Sequence, residues 1–155
     1  MARTVARNRC VERPELLAFL RDRRRLVLMT TRSDGSPQMS PATFATDAEG
    51  RISIATYPGR AKVANARRAP AVSACVVSDE WNGPWVQVDG TAEVLDLPDA
   101  LEPLVEYYRA ASGEHPDWAE YREAMVQQGK SLIRITLDRW GPVATGGFPP
   151  HLGDG

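Results

Sequence analysis

Long apolar runs, clustered histidines and paired cysteines are all missing from this chain, and each absence removes a class of protein. No stretch approaches the ~18 consecutive apolar residues of a membrane-spanning helix. The opening residues MARTVARNRC lack the hydrophobic segment of a signal peptide, so a cytoplasmic protein with no membrane partner is expected. Cys10 and Cys75 lie far apart without CxxC spacing, which gives no disulfide framework; Cys75, inside an apolar run, is expected to be a reduced, buried thiol. His115 and His151 show neither HxH nor HExxH spacing, so no metal site is expected. Serine hydrolase, NTPase and dinucleotide-binding signatures (GxSxG, P-loop, GxGxxG) are absent too. A net charge of −1 argues against a protein that coats nucleic acid. Lysine is scarce: 17 of the 19 basic residues are arginine, and the exceptions are Lys62 and Lys130.

What remains is an ordinary globular composition, 43% hydrophobic and 25% charged, on 155 residues that fit one domain. A single domain over 1–155 is expected, with its core at about 14–145 and irregular termini. Residues 14–25 read as a helix, with proline in the first turn and Leu16, Leu17 and Leu20 on one face. A strand over 26–31 follows, then the hairpin signal Ser33-Asp34-Gly35-Ser36, a strand over 38–46, a turn at Asp47–Gly50 and a strand over 51–56. These three strands are expected to form a meander. After Tyr57-Pro58-Gly59, residues 60–68 read as a short helix and 71–77 as a strand. A loop holding Trp81 leads to a long strand over 85–95, in which Gly90 marks a bulge or barrel corner. Helices over 98–111 and 116–128, a strand over 131–137 and an irregular tail from 141 complete the reading. The class is α+β, a barrel or sandwich of six or seven antiparallel strands with a few short helices.

Two constellations carry chemistry. The helix over 60–68 opens with Arg60 and Lys62, where the helix dipole is positive, and each cation is disfavoured there by roughly 0.3–1 kcal/mol unless an anion compensates. Free N–H groups at a helix start suit a phosphate. The alternative is that both side chains reach solvent or a nearby carboxylate. Arg67 and Arg68, at the other end, suit the dipole and need no ligand. The second constellation is Trp81 and Trp85 around Asn82-Gly83-Pro84, which could stack on a planar ring or plug a barrel end or a contact between subunits.

Four segments in order carry a resemblance: Ser33-Asp34-Gly35-Ser36-Pro37-Gln38-Met39-Ser40-Pro41; Pro58-Gly59-Arg60-Ala61-Lys62; Val88-Asp89-Gly90-Thr91-Ala92-Glu93-Val94; and Tyr108-Arg109 through Gly113-Glu114-His115-Pro116-Asp117-Trp118 to Tyr121-Arg122. In these the chain resembles the pyridoxamine 5′-phosphate oxidase-like family of flavin and deazaflavin proteins, and within it the coenzyme F420-dependent branch. The resemblance implies a six-stranded antiparallel split β-barrel with short flanking helices, and a homodimer with the cofactor between subunits. It places the cofactor phosphate on Arg60 and Lys62, the ring along Ser40, Pro41, Ala42, Thr43, Ala55 and Thr56, and Trp81 and Trp85 as contributions from the partner. The implied activity is an F420-dependent oxidoreductase that moves a hydride between the deazaflavin and a small organic acceptor. The alternatives are an FMN-dependent oxidoreductase of the same fold, or a non-catalytic flavin-, deazaflavin- or haem-binding protein. Arg60-Ala61-Lys62 departs from the adjacent Ser-Arg-Lys of flavin-binding members. Gly146-Gly147-Phe148-Pro149-Pro150 stands where the true oxidase has an arginine-containing motif for pyridoxal phosphate, so synthesis of that product is not expected. No catalytic residue is assigned.

Overall fold

The computed structural model describes residues 4–153, so the extreme ends of the expected 1–155 domain lie outside the described residues. A short strand β1 (Arg7–Arg9) precedes helix α1 (Arg13–Arg21). Glu12 and Glu15 form a reciprocal capping box at the start of α1, and Pro14 sits where the helix has no acceptor for an N–H. Leu16 and Leu20, one turn apart, bury its apolar stripe. The helix stops short of residue 25 because Arg25 already pairs as the first residue of β2 (Arg25–Thr31). β3 (Pro37–Thr43) returns beside β2 through a turn where Gly35 takes φ 86° and the Asp34 carboxylate accepts from the Ser36 N–H and hydroxyl.

The expected strand over 38–46 breaks at Phe44, which is fully buried and whose N–H donates to the Arg24 carbonyl. Its second part, β4 (Ala45–Thr46), pairs with β5 (Ile52–Thr56). Then come α2 (Ala61–Arg68), β6 (Ala71–Val77), β7 (Val86–Leu95), α3 (Leu101–Ser112), α4 (Trp118–Gln128), β8 (Ser131–Trp140), β9 (Val143–Thr145) and the short α5 (Pro150–Gly153). The main sheet runs β3-β2-β6-β7-β8-β5-β4, all pairs antiparallel. The meander holds in its pairings, β2 with β3 and β4 with β5, but the break at Phe44 carries its last pair to the opposite edge of the sheet, where β5 also pairs with β8. β3 and β4 lie at opposite edges, yet only Phe44 separates them in the chain. The sheet must curl until its edges meet, which makes it a split barrel. The expected fold class holds, with seven strands in this sheet rather than six, the extra one arising from the break at Phe44.

Leu26, Leu28, Phe44, Ile52, Ile54, Val86, Val88, Ile133 and Ile135 fill the barrel, while α3 and α4 bury Leu104, Val105, Tyr121 and Met125 against Leu132. Gly90 sits at the expected irregularity. The β7–β8 register shifts between Asp89 and Gly90, and a Cβ at Gly90 would collide with the Thr136 backbone oxygen. α4 starts after Asp117, whose carboxylate accepts from the Glu120 N–H, and His115 Nδ1 accepts from the Asp117 N–H, so this histidine orders the turn. The tail is less irregular than expected: β9 pairs with β1, two segments of three residues each, too short to show a strand period. Cys75 is half-buried rather than buried, and its partial burial pushes the thiol pKa up.

Candidate functional site

The end of β5 and the start of α2 make the centre of the site. Tyr57-Pro58-Gly59 turns the chain, the Arg60 N–H bonds the Tyr57 carbonyl, and Arg60 becomes the extended N-cap of α2. No side chain caps this end and no acidic residue stands in its first turn, so its N–H groups keep their uncompensated positive field. Among the described residues, neither Arg60 nor Lys62 has a carboxylate partner, whereas Arg67 pairs with Asp96 and Arg68 donates to the Thr31 carbonyl and to Asn65. The Arg60 guanidinium stands 5.8 Å from the centre of the Tyr57 ring, and Lys130 Nζ lies 4.1 Å from the same centre. The Tyr57 ring thus has one cation from its own turn, Arg60, and another, Lys130, from far along the chain. Lys62 is half-buried, and burial, with the Arg60 charge added, holds its pKa below the ordinary lysine range.

Tyr57, Arg60 and Lys62 border a cavity of about 440 Å³. Gln38 and Ser40 reach it from β3, Ala55 and Thr56 from β5, Tyr57 and Arg60 from the turn, and Ala61 and Lys62 from α2. No carboxylate lines it. The Ser40 hydroxyl is buried here without a hydrogen-bond partner, an arrangement that costs free energy unless a ligand supplies one. Positive charge, free donors and an orphaned hydroxyl suit an oxyanion.

Five of the ten residues expected from the sequence, Ser40, Ala55, Thr56, Arg60 and Lys62, are brought together in this cavity. Strand alternation puts Ala42 on the same face of β3 as Ser40, and Pro41 and Thr43 on the other. Pro41, Ala42 and Thr43 border a second cavity of about 510 Å³, shared with Trp81. Trp81 and Trp85 flank a third, about 550 Å³, with Cys75 and Val77. Within one chain the tryptophans thus do not join the cationic cavity; Trp81 is 94% exposed. Sequence reasoning missed Gln38 and Lys130. The period of two linking residue 38 to Ser40, and the scarcity of lysine, were the signals that could have found them.

The sequence model of pyridoxamine 5′-phosphate oxidase matches residues 13–144. Among solved structures the chain is similar to a conserved hypothetical protein from Mycobacterium tuberculosis, at 24% identity and a TM-score of 0.72, over 86% of this chain and 85% of that one. It is also similar to an F420 reductase, at 22% identity and a TM-score of 0.61, over 85% and 98% of the two chains. A third likeness is to a FAD-binding protein from Mesorhizobium loti, at 20% identity and a TM-score of 0.63, over 92% and 100%. At these identities the structural likenesses establish a shared fold.

Proposed function

The chain belongs to the pyridoxamine 5′-phosphate oxidase family, and from that premise we propose that it is an oxidoreductase dependent on coenzyme F420, acting on a small organic acceptor. The observation that carries the reading is the set of cations at the start of α2 that no carboxylate neutralises, beside the orphaned Ser40 hydroxyl. Arg60 and Lys62 hold the cofactor phosphate, with the free N–H groups of α2 behind them. Lys130, against the Tyr57 ring, adds to the positive field. Ser40, Ala42, Ala55 and Thr56 orient the ring and keep water from one of its faces. Bound deazaflavin supplies the hydride chemistry, so the chain needs no nucleophile or acid–base pair of its own. Arg60-Ala61-Lys62, in place of adjacent Ser-Arg-Lys, favours the deazaflavin over FMN.

The second wall of the site comes from a second copy of the chain. Met39, Trp81 and Trp85 are exposed, and with half-buried Val27, Cys75 and Val77 they make an apolar face that water covers poorly. A C₂ homodimer buries that face, brings the tryptophans toward the partner's cofactor and encloses the ring. Separate fluorescence titrations with F420 and FMN test the reading. Saturable F420 binding with weak or no FMN response is expected; tight FMN binding with no F420 response would overturn it.

A further inference from the structure

One wall of the cationic cavity is set by a chain of hydrogen bonds that can run in only one direction. It begins at Arg68, whose guanidinium has donors and no acceptor. Arg68 Nη2 donates to Asn65 Oδ1 at 2.9 Å and to the Thr31 carbonyl at 2.8 Å. That contact fixes which way the Asn65 amide faces, because its oxygen must meet the arginine. Asn65 Nδ2 is then turned toward Thr30 and donates to Oγ1 at 3.1 Å. Thr30 is fully buried and its hydroxyl has one proton. Having accepted from Asn65, it donates to Gln38 Oε1 at 2.9 Å, directly across the β2–β3 pair. With Oε1 so engaged, the Gln38 NH₂ group is the part left over. It has no partner among the described residues, and Gln38 borders the cavity that holds Lys62, Arg60 and Ser40.

We propose that Gln38 is a ligand-binding residue fixed as a hydrogen-bond donor, its amide held in that sense by Thr30, Asn65 and Arg68 acting as positioning residues. A free glutamine can turn either end of its amide toward a ligand and so tolerates donors and acceptors alike. Gln38 cannot turn without leaving the Thr30 proton, inside the barrel, facing an NH₂ group. The cavity therefore selects an acceptor at this point, a phosphate oxygen or a ring carbonyl, and rejects a ligand that presents an N–H there. Thr30 on β2 and Asn65 on α2, both buried and polar, gain a purpose that packing alone does not give them. The inference rests on the reading of this cavity as a cofactor site, and its test separates the two.

In the ligand-free protein, the two Gln38 side-chain amide protons should give NMR signals displaced from those of a solvated glutamine. Thr30→Val should move them to the solvated position, and Thr30→Ser should restore them. Gln38→Glu keeps an acceptor for Thr30, replaces the NH₂ group with oxygen and adds a negative charge. It should weaken F420 by at least about tenfold, through the lost hydrogen bond and the added repulsion of the anion, without lowering the melting temperature. Gln38→Met should weaken F420 less than Gln38→Glu. The phosphate-free ribityl deazaflavin separates the two acceptors: weakening of both ligands places the contact on the ring, and weakening of F420 alone places it on the phosphate. Unshifted amide signals in the wild type, or undiminished affinity in Gln38→Glu, would overturn the proposal. If the wild type binds no F420, the cofactor reading fails; the relay is then judged by the amide signals and by whether inorganic phosphate moves them.

Discussion

Replacing Lys62 with methionine should weaken ligand binding while leaving the fold as stable as before, or more stable. The ammonium group is half-buried beside Arg60, with no carboxylate to neutralise it, and its pKa is held below 10.5 by burial first and by Arg60 second. A base whose folded pKa is lowered binds protons less well in the native state than in the unfolded one. Its charge therefore destabilises the free protein fully at neutral pH, and that cost disappears only as pH rises through the folded pKa and past 10.5. Methionine keeps the apolar stem and removes the cost. In binding, the same substitution deletes a charge-assisted contact worth roughly 1.5–3 kcal/mol, or about ten- to a hundredfold in affinity. Two measurements check this: fluorescence titration with F420, and thermal melting with and without ligand. Expected are a weakened Kd, an unchanged or higher Tm of the free variant, and a smaller ligand-induced rise in Tm. Arg60→Ala should weaken binding similarly. A Tm several degrees lower with affinity intact would mean that Lys62 holds the fold and not an anion.

Three further outcomes follow from other parts of the molecule. Trp85→Ala should shift the protein toward monomer in sedimentation and weaken F420 together; loss of one without the other would separate the interface from the site. Asp96 accepts from the buried Ser131 hydroxyl at 2.6 Å and pairs with Arg67, and these, in that order, hold its carboxyl below the ordinary 3.8. The stabilisation is present above pH 3.8 and lost as pH falls through the lowered value, so Asp96→Asn should cost about 1 kcal/mol at pH 7, and the gap to wild type in denaturant melts should close in acid. Tyr121 donates to the Leu104 carbonyl at 2.9 Å, and burial, with Tyr107 and Tyr108 nearby, pushes its phenol up to about 12. Tyr121→Phe should cost about 1 kcal/mol and remove the last phenolate step from an alkaline absorbance titration.

The sequence discloses those features whose cause is local. Asp34-Gly35 forces a tight turn whatever surrounds it, and the ends of β6 follow from Pro70 and Ser78; Gly90 is legible although its cause is distant, because a residue without a Cβ inside a strand stands where another strand's backbone lies against it. Phe44 is different: residues on either side keep a strand period, and only the closing of the barrel reveals that the strand changes neighbours there. β1 and β9 meet across nearly the whole chain with three residues each and no apolar alternation, so nothing nearby announces them. The site divides the same way. Arg60 and Lys62 are visible because they conflict with the dipole of their own helix. Gln38 and Lys130 are not, since their placement depends on the β2–β3 register and on a segment far along the chain folding back over Tyr57.

The most direct test of the cofactor site is a crystal structure of the protein saturated with F420. The phosphate is expected between Arg60 and Lys62 at the start of α2, the ring against Ser40, Ala55 and Thr56, and Trp85 of a second copy of the chain closing the opposite face. A ligand bound elsewhere, or a phosphate in the cavity with no second copy across it, would contradict the account.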